Sequence, residues 1–241
     1  MDIRIFESAD KLDLHAAEWF SELINQKPGA VLGLATGSTP IGIYAKLVEQ
    51  HRSGKVSFAE VTTYNLDEYV GLTPDNDQSY AYYMNQHLFS HVDIPAGNVH
   101  LPDGMAPDPA AECARYDALL AEHAADVQLL GLGHNGHIGF NEPDEQLSSG
   151  THVVALKEET RQANARFFSS LDEVPKAAYT MGVGSILKAK QILLVVRGSD
   201  KAGIVKEALT GPVTTQVPAS LLQLHPNVIV LLDQEAGRLL S

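Results

Sequence analysis

Short apolar runs alternate along this chain with stretches in which apolar residues recur every three or four positions. Val31–Ala35, Val61–Leu66, Val127–Gly131, Gln191–Val196 and Asn227–Leu232 have the length and continuity of strands buried on both faces. Leu12, Ala16, Trp19 and Leu23 fall at helical spacing, as do Tyr80, Met84 and Leu88. Ser38, Thr39 and Pro40 read as a helix start, with a hydroxyl at the cap and proline in the first turn. Strands that alternate with helices need crossover connections, so the pattern predicts an α/β fold with a mainly parallel sheet covered by helices on both faces. No linker or internal repeat interrupts it, and residues 1–241 read as a single domain.

In such sheets ligands bind beyond the carboxyl ends of the strands. Three of the strands run there into polar turns: Ala35-Thr-Gly-Ser-Thr-Pro40, Asn65-Leu-Asp-Glu-Tyr69 and the long run from Gly131 to Pro143. One rim thus collects every unusual loop.

Charge narrows what that rim can bind. The formal net charge of -13 argues against nucleic acid and against an anionic membrane face, both of which call for a basic surface. An acidic protein that binds an anion must gather its few cations, or backbone N–H groups, at one place. No apolar run approaches the ~20 residues of a membrane span, and the N-terminus lacks a basic region followed by an apolar core. Cys113 is the only cysteine, so an internal disulfide is impossible and a reducing, cytoplasmic setting fits. It lies in a helical pattern with Leu119 and Leu120 and reads as a packed thiol rather than a nucleophile.

Thr36, Gly37, Ser38 and Thr39 could receive a phosphate, since glycine lets the backbone approach an anion and the helix start supplies N–H groups. The same residues also suit an ordinary capped β-α turn, and no Gly-Lys-Ser/Thr follows as in a Walker loop. Asp67 and Glu68 close the second turn. A sheltered carboxylate there can act as a base toward a C–H acidified by a carbonyl, or it can simply cap a helix; adjacent acids point different ways, so one of the two is the candidate. His134, Asn135, His137 and Glu142 form the densest polar cluster, among glycines at 133, 136 and 139. Imidazole moves protons near neutral pH, and a carboxylate can fix its tautomer. His134, His137 and Glu142 could also offer three metal ligands, yet a glycine-broken segment cannot present two histidines on one helical turn, and no metal is expected. Among the cations, Arg166 precedes Phe167-Phe168 on a predicted helix over 158–168, and Lys201 follows the Gln191–Val196 strand; both suit phosphate.

On these residues the chain resembles the glucosamine-6-phosphate deaminase family. The resemblance covers nearly the whole length and includes Gly33–Pro40, Asn65–Leu72, Gly131–Pro143, Asn164–Phe168, Gly182-Val-Gly184, Gly198–Lys201 and Leu221–Pro226. The third run is the most specific. The resemblance implies a three-layer Rossmann-like domain that isomerises and deaminates glucosamine 6-phosphate to fructose 6-phosphate and ammonia, with no cofactor. It implies that His137 opens the sugar ring with Glu142 and Asn135, that Asp67 moves a proton between C2 and C1, and that Thr36–Thr39, Arg166 and Lys201 hold the phosphate.

Two departures from the family stand out. Many members carry Asp where this chain has Asn135, which can position but adds no negative charge. The large hexameric members extend further at the C-terminus and bind an allosteric anion, whereas this chain stops at Ser241 and has no Arg or Lys in Gly150–Leu156. A monomer without allostery is therefore expected. The competing readings are a 6-phosphogluconolactonase, a sugar-phosphate isomerase that keeps its amine, and a non-catalytic sugar-phosphate sensor.

Overall fold

The structure, a computed structural model, describes residues 1–156, 162, 170 and 173–240. Seven parallel strands make the main sheet: β1 (Asp2–Phe6), β2 (Val31–Leu34), β3 (Thr62–Asn65), β5 (Val99–His100), β6 (Val127–Leu130), β9 (Ile192–Val196) and β10 (Val228–Asp233), in the order β1-β10-β9-β6-β2-β3-β5. Every residue of β2, β6 and β9 is buried, the mark of central strands covered on both faces. All five strands expected from the apolar runs are present, within a residue or two of the expected bounds.

A second, three-stranded antiparallel sheet places β8 (Ala177–Thr180) between β4 (Asp67–Tyr69) and β7 (His152–Ala155). The chain leaves the large sheet after Asn65. Leu66 bridges the two sheets, donating its N–H to Leu34 and accepting from Met181. Asp67 is therefore the first residue of a paired strand, opposite Thr180, and not a loop residue.

Connecting helices are α1 (Ala9–Gln26), α2 (Ile41–Arg52), α3 (Tyr80–His87), α4 (Pro109–Glu122), α5 (Val183–Ile186), α6 (Ala202–Thr210) and α7 (Gln234–Gly237). The periodic Leu12–Leu23 stretch is α1, whose buried face carries Leu12, Ala16, Ala17, Phe20 and Ile24. Its first turn is capped by Ser8, which accepts from the Lys11 N–H at 3.3 Å. The start of α2 corrects the expected hydroxyl cap: Pro40 itself occupies the cap position and α2 begins at Ile41, with no side-chain cap. Cys113 is half-buried on α4, where burial, with Asp117 and Glu112 nearby, pushes its thiol pKa up. Among the described residues no helix is long and apolar enough to cross a membrane.

The strand order reverses direction at β2. β3 and β5 lie on one side of it and β6, β9, β10 and β1 on the other, so the crevice at the carboxyl ends of β2 and β6 is the topological switch point.

Candidate active site

At that switch point lies a cleft of about 680 Å³. Four strand ends contribute to it: Thr36–Thr39 after β2, Leu66 and Asp67 after β3, Gly131–Gly139 after β6, and Arg197, Asp200 and Lys201 after β9. Tyr80 and Phe140 supply an aromatic wall, with rings stacked 6.3 Å apart. Of the sequence-predicted residues, Thr36, Gly37, Ser38, Thr39, Asp67, His137 and Lys201 line this one cleft. Asn135 and Glu142 reach it through His137, and Arg166 falls outside the described residues.

Asp67 and Glu68 are both buried, yet they sit in opposite electrostatic situations. The Glu68 carboxylate accepts from the N–H groups of Tyr69, Tyr80 and Ala81 at 2.8–2.9 Å, and so caps the start of α3 beside Ser79. Burial still raises its pKa, and those three donors lower it. Asp67 lacks such support: its Oδ1 is buried without a hydrogen-bond partner. Burial, and then the neighbouring Glu68 charge, push its pKa up to about 8. One acid holds the fold, and the other is a carboxyl poised to exchange a proton near neutral pH.

The histidine arrangement depends on the bent backbone after β6. His137 Nδ1 lies 2.7 Å from Asn135 Oδ1 and 3.3 Å from Glu142 Oε1, while Asn135 Nδ2 donates to Glu142 Oε2. An amide oxygen only accepts, so in this contact Nδ1 carries the hydrogen. Asn135 thus links imidazole to carboxylate, and Glu142 supplies the negative charge that Asn135 does not.

Gly133 makes room for the ring. A Cβ at this position would stand 2.2 Å from His137 Cε1 and 2.3 Å from Nδ1. Gly133→Ala must therefore push the imidazole away, and a displacement near 1 Å can cost about 100-fold in rate. We expect kcat/KM to fall by about that factor with little change in melting temperature, as read by steady-state kinetics and thermal unfolding; wild-type kcat/KM would show that the ring need not stand there.

His134 and His137 do not converge. His134 Nε2 meets Asp200 Oδ2 at 2.6 Å, across from the Asn135–Glu142 group, and no cluster of three metal-ligating side chains occurs among the described residues. At the turn after β2, Gly37 takes φ +89°, and its carbonyl accepts from Tyr83 Oη at 2.6 Å. Among the described residues no hydrogen bond engages the hydroxyls of Thr36, Ser38 or Thr39, so three donors face the cleft from the start of α2. Lys201 Nζ donates to the Leu132 carbonyl at 2.8 Å, and burial lowers its pKa.

Sequence reasoning passed over Arg197, which lies between the end of β9 and Gly198 and lines the same cleft. A cation directly after a buried strand, at the ligand end of the sheet, was the available signal.

Comparison with known proteins gives consistent matches over the whole chain. The family model for glucosamine-6-phosphate isomerases/6-phosphogluconolactonase matches residues 6–230. The chain is 55% identical over 229 residues to a glucosamine-6-phosphate deaminase of Bacillus velezensis, with 95% of each chain covered. It is 48% identical over 242 residues to a glucosamine-6-phosphate deaminase of Clostridium perfringens, both chains being covered in full. Its structure superimposes on that of a monomeric glucosamine-6-phosphate deaminase with a TM-score of 0.94 at 48% identity, covering 99% of this chain and 100% of the other. A 6-phosphogluconolactonase from Trypanosoma brucei shares the fold, with a TM-score of 0.78 at 22% identity over 100% of this chain and 98% of that one.

Proposed function

Since the chain belongs to the glucosamine-6-phosphate isomerase/6-phosphogluconolactonase family, we propose that it converts glucosamine 6-phosphate and water to fructose 6-phosphate and ammonia. It is then a hydrolase of amino-sugar metabolism, with a role in N-acetylglucosamine catabolism. The observation that carries the reading is the raised, unpartnered carboxyl of Asp67 in one cleft with the His137–Asn135–Glu142 relay and the Thr36–Thr39 turn.

The pyranose must open before C2 becomes acidic. His137 Nε2 passes a proton to the ring oxygen and takes up the one that the C1 hydroxyl gives up, and Glu142 stabilises the charged imidazole through Asn135 and across 3.3 Å. The Asp67 carboxylate then takes the proton from C2 of the open aldehyde, and the electrons form C1=C2 as O1 takes a proton from solvent. Protonated Asp67 returns its proton to C1, leaving an iminium at C2. Water adds there, the C–N bond breaks and ammonia leaves. Thr36, Gly37, Ser38, Thr39, Arg166 and Lys201 hold the phosphate, so that the reacting carbons stand at Asp67. No step calls on a cofactor or metal.

A lactonase needs no base for a carbon-bound proton, and the buried acid at Asp67 favours the deaminase. The likeness in fold to the monomeric deaminase supports a monomer, and the acidic charge and reduced-thiol composition support a cytoplasmic protein without nucleic-acid partners.

Glucosamine 6-phosphate turnover, with ammonia and fructose 6-phosphate both measured, tests the reading. Asp67 acts as the carboxylate, and its raised pKa means that this form is lost as pH falls below about 8. The kcat/KM profile is therefore expected to rise with pH along an acid limb centred near pH 8. Absence of both products would overturn the function, and ammonia-free turnover of 6-phosphogluconolactone would install the lactonase in its place.

A further inference from the structure

Among the described residues lining the cleft, only two carry a lysine or arginine side chain: Lys201 and Arg197. Arg197 is held from behind. Its Nη2 donates to Asp13 Oδ1, and Asp13 lies on the buried face of α1, 6% exposed, among Leu12, Ala16 and Ala17. The Asp13 carboxylate in turn presses on the first turn of α2, where a Cβ on Gly42 would stand 1.9 Å from Oδ2. The pair thus ties the end of β9 to the helix that opens immediately after the Thr36–Thr39 turn.

The acid of this pair is buried and the guanidinium partly so, and the cost of desolvating them offsets much of their attraction, so the pair contributes little to stability. What the pair supplies is position. A guanidinium carries five N–H donors in a planar fork. Here one is used on Asp13, and Nε is buried without a partner. The other charges around the fork are accounted for: Lys46 lies near Asp13, and Asp200 is paired with His134 at 2.6 Å.

We infer that Arg197, aimed by Asp13, is a phosphate-binding residue of this cleft, acting with Lys201 on the phosphate of the substrate. The assignment rests on the reading of the cleft as a sugar-phosphate site. It also places a second described cation beside Lys201 in the cleft of a chain whose net charge of -13 works against binding a dianion.

The test compares Arg197→Gln, Arg197→Lys and the double variant Asp13→Asn/Arg197→Gln, each measured for KM and kcat on glucosamine 6-phosphate and for competitive inhibition by inorganic phosphate. Losing a charge-assisted fork on phosphate is expected to raise KM and the phosphate inhibition constant together by about 10- to 100-fold in Arg197→Gln, with kcat within a few-fold. Arg197→Lys keeps the charge without the fork and is expected to recover part of the loss. The double variant removes the orphaned acid as well and is expected to match Arg197→Gln. Wild-type KM and phosphate inhibition in Arg197→Gln would overturn the inference, as would their return in the double variant, because the defect would then belong to an unpaired Asp13. An inactive wild-type protein would defeat the deaminase reading instead, and inorganic phosphate binding, followed by calorimetry, would still report on Arg197.

Discussion

Asp67→Asn is expected to lower kcat by about 10³- to 10⁴-fold while leaving the affinity for glucosamine 6-phosphate within a few-fold of wild type. The amide has nearly the same shape, so the cleft keeps its walls, but it cannot take the proton from C2. The structure adds a second, less usual expectation for the same variant. Folding buries the Asp67 carboxyl and raises its pKa from an ordinary 3.8 to about 8, so between these pH values the folded chain holds a proton that the unfolded chain has released. Stability contributed by this group is therefore full below about pH 4, falls as pH rises, and is lost above about pH 8. Asparagine has no proton to lose. Asp67→Asn should then be more stable than wild type at pH 8, by an amount on the order of 5 kcal/mol at most, and about equal to it at pH 4. Melting temperatures from pH 4 to pH 9 give the check. A variant that is inactive and also less stable at pH 8 would assign Asp67 a structural role, and one that loses substrate binding together with turnover would do the same.

A stability cost at this position is what the surrounding chain is built to tolerate. Glu68 caps α3 through three N–H groups, and β4 is pinned to β8 with Asp67 facing Thr180. The donors that would stabilise a carboxylate are thus spent on the residue next door. Asp67 Oδ1 is left buried without a hydrogen-bond partner.

How far the sequence revealed this arrangement depends on what each residue reports. Continuous apolar runs announced the central strands because both faces of β2, β6 and β9 are covered. β1 is an edge strand, mostly exposed, and β7 alternates between half-buried and exposed positions, so neither shows a run. β4 was legible only as a turn, because it is three residues long, begins with two acids and exists through its pairing with β8. The order of glycines, histidines and acids after β6 located the cluster of His137, Asn135 and Glu142. It could not show that the Asn135 amide spans His137 and Glu142, a matter of side-chain rotamers. Arg197 was hidden for another reason. Its meaning comes from Asp13, 184 positions away in the chain, and a distant polar partner leaves no local pattern.

The division of labour between the two acid-base groups can be separated by experiment, and His137→Asn is the variant that does so. In the proposed mechanism Asp67 acts on the open-chain form and His137 on the ring, so each variant should fail a different half-reaction. His137→Asn is expected to lower kcat on glucosamine 6-phosphate by about 10²- to 10⁴-fold, since the imidazole proposed to relay the proton to the ring oxygen is gone. It should also lose the ability to speed interconversion of the α and β anomers of glucosamine 6-phosphate, which needs ring opening and nothing more. Asp67→Asn should retain that ability and lose exchange of the C2 hydrogen with deuterated water. Both half-reactions can be followed by NMR on the same sample. The geometry explains why they should part cleanly. His137 is fastened by Asn135 and Glu142 on the loop after β6, while Asp67 is fastened by β8. Anomerisation that survives in His137→Asn and fails in Asp67→Asn would exchange the two roles, and loss of both half-reactions in both variants would mean that the cleft acts as a single inseparable unit.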